Sequence, residues 1–190
     1  MKGLRVTADG GFWAVLAIFW FLDDWGLLPP FLLAAGLHEA AHLAALALLE
    51  LPVQGLELRA TGAVLRTELR GEPREAWALA SGPAANLLLA LLFWRAWPLF
   101  GLCNLALGCS NLLPLAHLDG GRLCALLLPH WLGRSGEILC QLLHWGTLAA
   151  MVVSCVWASC VLHWGLLPLL AAGFFLWKLP YPLAKSAFDW

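Results

Sequence analysis

The sequence predicts an all-α polytopic membrane protein of about six transmembrane helices, with one small amphipathic β-hairpin between the second and third spans. Three observations predict it. The first is solvent preference: 62% of the 190 residues are hydrophobic and 12% are charged, with a mean hydropathy of +0.79, against about 45–50% apolar and about 25% charged in soluble domains. The second is the division of the apolar residues into six runs, Gly11–Leu22, Leu27–Leu49, Trp77–Trp94, Trp97–Ala116, Ile138–Val161 and Gly165–Trp177. The third is charge asymmetry. With alternating spans, ten of the 11 Lys and Arg residues collect on one side and Arg95 alone on the other, and basic residues mark the cytoplasmic side. A multi-pass protein of the cell membrane, with both termini cytoplasmic, is expected.

Along the chain, the basic start and apolar run of "MKGLRVTADGGFWAVLAIFWFL" would also suit a signal peptide. No small-x-small cleavage site follows, however, and the chain continues into Asp23-Asp24-Trp25-Gly26, so the first run is read as an uncleaved span. A spanning helix needs about 20 apolar residues, with a range of about 17–25. The second to fifth runs meet this; the first and last are short. Tryptophans such as Trp77, Trp94, Trp97 and Trp164 stand at run ends, where interfacial aromatic residues concentrate. Between the second and third spans, "VQGLELRATGAVLRTELRGEP" alternates apolar and charged residues on both sides of Thr61-Gly62, the pattern of a hairpin lying at the membrane surface. The stretch "GGRLCALLLPHWLGRSGE" reads as an interfacial helix and loop. All six cysteines fall in apolar segments without a CxxC pair, as small buried hydrophobes do. The whole chain, 1–190, is expected to form a single membrane-embedded domain.

The second run carries polar residues that a spanning helix does not need. His38-Glu39-Ala40-Ala41-His42 places three of them within five positions, and a charged side chain at the centre of a span costs roughly 2.5–3.5 kcal/mol on insertion scales. On a helix, positions i and i+4 share a face. Two imidazoles can therefore reach one metal ion while Glu39, about 100° around, reaches a water beside it. This is the mechanical content of the H-E-x-x-H pattern, two zinc ligands and a general base. A catalytic zinc has three protein ligands and an open position. Candidates for the third are Asp119, His117, His144 and His163. Asp119 lies at the cytoplasmic end of the fourth span, toward which the second span also runs. His163 belongs to the opposite surface and His144 to the fifth span, whereas His117 is only two residues from Asp119.

The ordered motifs "HEAAH", "SGPAAN" and "NLLPLAHLDGG" resemble those of the site-2 protease family of intramembrane zinc metalloproteases, across roughly residues 36–122. The compact form, with no PDZ insertion, most resembles the branch of the sporulation pro-sigma-factor processing protease. The resemblance implies a catalytic core at about 27–122 and one zinc ion held by His38, His42 and Asp119, with Glu39 as the catalytic glutamate. It also implies that Asn86, in the Gly-Pro-x-x-Asn segment begun by Gly82-Pro83, faces the catalytic centre; an asparagine there could donate to a developing oxyanion. Asn111 and Pro114 would break the fourth helix, and Gly120-Gly121 would allow a tight exit after Asp119. The chain departs from the pattern at Ala116-His117, where relatives often carry proline or small apolar residues. No carboxy-terminal CBS domain, of the kind many sporulation-type relatives carry, is expected. The expected partners are the lipid bilayer and a membrane protein or membrane-associated proprotein substrate, with no nucleic acid; the sequence leaves the oligomeric state open. A metal-binding transporter and a non-catalytic scaffold are the rival readings. The first would need polar residues at several depths and the second the loss of a ligand or of Glu39.

Overall fold

A computed structural model describes residues 5–59, 62–67, 71–161 and 173. Its elements are, in order, β1 (Arg5–Ala8), α1 (Gly10–Leu22), α2 (Leu28–Leu48), β2 (Val53–Arg59), β3 (Gly62–Thr67), α3 (Glu75–Phe93), α4 (Pro98–Asn111), α5 (Asp119–Leu132) and α6 (Arg134–Cys160). They form two compact units divided between Leu112 and Leu113.

In the first unit, α1 starts where Asp9 accepts a hydrogen bond from the Phe12 amide at 2.7 Å, an N-cap that satisfies one orphan donor. Both carboxylate oxygens of Asp23 then accept from the start of α2, from the Leu27 and Leu28 amides at 2.8 Å each. The buried residues of α2 include Pro30, Ala34, His38, His42 and Leu46, a row at spacing four that forms one ridge of a helix. Phe31, Leu32, Leu33, Leu37 and Leu48 are exposed, as lipid-facing residues would be. That row packs on α3 and α4. Ala34, Phe100 and Cys103 make one apolar cluster. Leu46, Leu51 and Ala78 make another, with Val53 and Leu65 of the sheet packed against it.

The hairpin expected between the second and third spans is present as β2 and β3, paired antiparallel, with Leu56 opposite Leu65. A third strand was not expected. β1 pairs parallel to β2, Val6 beside Leu56, so the sheet order is β1-β2-β3 with β2 central. Arg-Val-Thr-Ala is too short to show an alternating pattern, and its partner lies some fifty residues away, beyond two helices.

In the second unit, α5 occupies the stretch read as interfacial, and only Asp119, Gly120, Gly121 and Leu126 of it are buried. Gly133, with φ +54°, joins it to α6, a backbone conformation that side chains disfavour.

Among the described residues three helices are long and apolar enough to cross a membrane, α2, α3 and α6, while α1 is apolar but has 13 residues. The fourth run yields a helix of only 14 residues, about 21 Å at 1.5 Å per residue. It stops at Asn111, whose side-chain amide turns back to the Leu107 carbonyl at 3.0 Å. Pro114, three residues on, has no N–H with which to continue it. The run at 165–177 lies outside the described residues, apart from Gly173.

Candidate metal centre

The first unit brings together His38 and His42 from α2, the Ala78–Asn86 stretch of α3 and Asn104 from α4. His38 and His42 are one turn apart, and both are buried. Their rings meet edge to face, with centroids 4.7 Å apart, and their Nε2 atoms face each other at 3.1 Å.

The hydrogen bonds on the far side of each ring decide what those Nε2 atoms are. His42 Nδ1 lies 2.7 Å from the Ala78 carbonyl. A carbonyl only accepts, so the His42 ring carries a proton on Nδ1. Ser81 completes that corner, donating its hydroxyl to the same carbonyl at 2.7 Å, with its oxygen 3.4 Å from Nδ1. His38 Nδ1 donates to Asn86 Oδ1 at 2.5 Å. In neutral rings both Nε2 atoms then present lone pairs, aimed at one another across 3.1 Å. A proton shared between the two nitrogens, or a cation coordinated by both, would satisfy that arrangement. With metal–nitrogen bonds of about 2.0–2.1 Å, the separation corresponds to a ligand angle of about 98°, within reach of a tetrahedral site.

Gly82 keeps this space open. A Cβ there would stand 2.3 Å from His42 Nε2 and 2.8 Å from His38 Cε1, closer than side-chain carbons approach. Pro83 lies inside α3, not at its start, and it is buried beside Gly82 and Asn86 on the face that meets the histidines. Glu39 is half-buried on α2, adjoining His38.

Asp119 belongs to the second unit, in the first turn of α5, buried there with Gly120 and Gly121. The approach to it is a tight turn: the Leu118 amide donates to the Leu115 carbonyl at 2.9 Å. A Cβ on Gly121 would lie 2.0 Å from that carbonyl oxygen, so only glycine fits. His144 of α6 accepts from the Ala116 amide at 3.2 Å, which makes it a brace for this turn. His117 is half-buried in the same turn, and His163 lies outside the described residues. His38 and His42 in the first unit supply two buried imidazoles and Asp119 in the second a buried carboxylate, the kinds of donor that a metal ion takes.

Three of these features escaped the sequence: the Ala78 carbonyl under His42, the brace from His144, and Asn104. The first is a backbone group with no residue signature. Asn104 is a single amide in "GLCNLALG", and His144 a single imidazole in an apolar run. Asn86 is where the motif suggests, beside the histidines, but its amide N–H groups are directed at Asn104 Oδ1, 2.8 Å away, and at the Ala34 carbonyl, 3.4 Å away. Its amide thus links His38 to Asn104 and the Ala34 carbonyl.

With the geometry in place, comparison with known proteins is informative. The model of the family described as peptidase family M50 matches residues 93–154. A solved structure, the site-2 protease from Methanocaldococcus jannaschii, superimposes with a TM-score of 0.67 at 17% sequence identity, covering 93% of this chain and 90% of that one. The chain has the site-2 protease fold. Both findings bear out the resemblance to the site-2 proteases, and neither singles out the sporulation branch. No curated protein sequence matches.

Proposed function

We propose that this chain is an intramembrane zinc metalloendopeptidase that hydrolyses a peptide bond within or near the membrane segment of a protein substrate. The observation that carries the reading is the pair of opposed Nε2 atoms, each made a lone-pair donor by an acceptor behind its Nδ1. His38 and His42 would hold one zinc ion together with Asp119. Bound there, zinc supplies Lewis acidity, lowering the pKa of a coordinated water toward ~7. Glu39, next to His38 on α2, would act as the general base in that hydrolysis and then as the acid toward the leaving amine. The Ala78 carbonyl and Asn86 hold the imidazoles in orientation, as outer partners of metal-ligating histidines do.

A helical substrate shields its peptide bonds, so a segment must unwind before it is cut. β2 is flanked on both sides, which leaves β3 as the hairpin's edge strand. An unwound segment adding to that edge would gain main-chain hydrogen bonds. The charge asymmetry supports an active site toward the cytoplasm, with both termini on that side. A membrane-tethered precursor processed in regulated proteolysis, sporulation included, fits this arrangement. The transporter reading is disfavoured by Asp23, whose carboxylate oxygens are occupied in capping α2 rather than lining a polar path.

The test is Glu39→Gln against wild type, measuring zinc content and cleavage of a membrane-embedded substrate. Retained zinc with cleavage reduced by about 10²–10⁴-fold is the expected result. Undiminished cleavage would refute the mechanism.

A further inference from the structure

We infer that Asn104 is a positioning residue which, through Asn86, fixes the ring nitrogen of His38 that carries the proton. A histidine binds a metal through Nε2 only when its proton sits on Nδ1, and the tautomer is set by the hydrogen bond that the other nitrogen makes. Asn86 makes that bond, but an amide is nearly symmetric in shape. Turned by 180°, it would present Nδ2 to His38 Nδ1, move the ring proton to Nε2 and abolish the ligand lone pair. Something must hold Asn86 one way round.

The structure supplies it as a directed chain of hydrogen bonds across three helices. The Phe100 carbonyl on α4 can only accept, and Asn104 Nδ2 donates to it at 2.8 Å. This leaves Asn104 Oδ1 facing α3, where it accepts from Asn86 Nδ2 at 2.8 Å. Asn86 Oδ1 is thereby left to accept from His38 Nδ1 at 2.5 Å on α2. Each step fixes the polarity of the next, and the origin is a backbone atom that has no alternative. A weaker contact of Asn86 Nδ2 with the Ala34 carbonyl, at 3.4 Å, favours the same orientation. Asn86 and Asn104 are both fully buried, at 0% exposure, so bulk water does not stand in for a missing partner. Asn104 touches neither histidine in this chain of contacts; it acts through Asn86.

The consequence for metal binding rests on His38 being a ligand, but the tautomer itself can be read without metal. The experiment labels histidine with ¹⁵N in the full-length, detergent-solubilised, metal-free protein and assigns the His38 ring by its loss in His38→Gln. Zinc affinity is then measured by competition with a chelator. Wild type is expected to show His38 protonated on Nδ1 and unprotonated on Nε2. In Asn104→Ala the signature should become mixed, with zinc affinity reduced about 10–100-fold, the usual cost of losing an outer partner of a metal ligand. Asn104→Asp, as the neutral acid, keeps an O–H donor for the Phe100 carbonyl and an acceptor toward Asn86, and should keep both the wild-type tautomer and most of the affinity. In an Asn86→Ala background, Asn104→Ala should change nothing further, which a general packing defect would not reproduce.

A wild-type His38 protonated on Nε2 overturns the inference, even if Asn104→Ala cannot be obtained folded. So does an unchanged tautomer in Asn104→Ala, an Asp variant as defective as the Ala variant, or additive losses in the double variant. Should the tautomer respond as expected while none of the proteins binds zinc, the relay stands and the metalloprotease reading fails. Should zinc bind equally in all while the tautomer is indifferent to residue 104, the relay falls and that reading survives.

Discussion

Gly82→Ala is the most direct probe of the space between the two histidines. The added Cβ would lie 2.3 Å from His42 Nε2, 2.7 Å from His42 Cε1 and 2.8 Å from His38 Cε1. Reaching an ordinary contact of about 3.4 Å requires His42 Nε2 to retreat by about 1.1 Å and the His38 ring by about 0.6 Å. Neither ring can swing aside cheaply, because each is tied at Nδ1, one to the Ala78 carbonyl and the other to Asn86. Overpacking of this kind costs about 1–3 kcal/mol of stability. The larger effect falls on the metal, since functional geometry tolerates displacements of only about 0.5 Å and disturbing even the outer partner of a ligand costs about 10–100-fold in metal affinity. Zinc affinity should therefore fall about 100-fold, close to 2.8 kcal/mol. Chelator competition in detergent reads this directly, beside a thermal melt. Gly146→Ala on α6 is the control, because its Cβ meets nothing within 4 Å and helix propensity gains up to about 1 kcal/mol. A folded Gly82→Ala protein that holds zinc as tightly as wild type would refute the argument that these two Nε2 atoms share an ion.

Three further outcomes are expected. Asp119→Asn should weaken zinc binding by at least about tenfold with little change in melting temperature, whereas loss of the metal in His117→Ala instead would mean that the third ligand is misassigned. Gly121→Ala should cost about 3 kcal/mol or more, because its Cβ would strike the Leu115 carbonyl at 2.0 Å and a backbone atom cannot rotate away; a thermal melt equal to wild type would contradict the close approach. Leu56→Pro, in the middle strand of the sheet, removes a ladder donor without touching any of the proposed ligands. It should abolish cleavage of a membrane substrate while zinc content stays at wild-type level, and unimpaired cleavage would dismiss the sheet as a substrate platform.

Much of this arrangement was legible because membrane burial makes polar residues conspicuous. His38, Glu39 and His42 interrupt an otherwise apolar run, and the spacing of four that suggests a shared face is the same spacing that places Pro30, Ala34 and Leu46 on the buried ridge. The hairpin was legible from its alternation, and the end of α4 from Asn111 and Pro114. β1 was not, because four residues pairing in parallel across two helices leave no local pattern. Nor was the role of Asn86, which depends on how one amide is turned. A motif can place an asparagine beside a histidine, but it cannot say which end of the amide faces the ring.

Two lines of evidence meet at this centre without sharing residues. The family match spans residues 93–154, which include Asn104 and Asp119 but stop short of the histidine helix. The opposed Nε2 atoms come from α2 and owe nothing to that match. A His-Glu-x-x-His helix arising by chance would have no reason to seat both histidines against accept-only oxygens, with a glycine across from them where any other residue would collide. Nor would it have a reason to occur in a chain of which a separate stretch, residues 93–154, matches a peptidase family. The inference to a metal thus rests on their agreement. It is also why Asn104 matters: it lies within the matched segment, yet its hydrogen bonds reach, through Asn86, into the helix that the match leaves out.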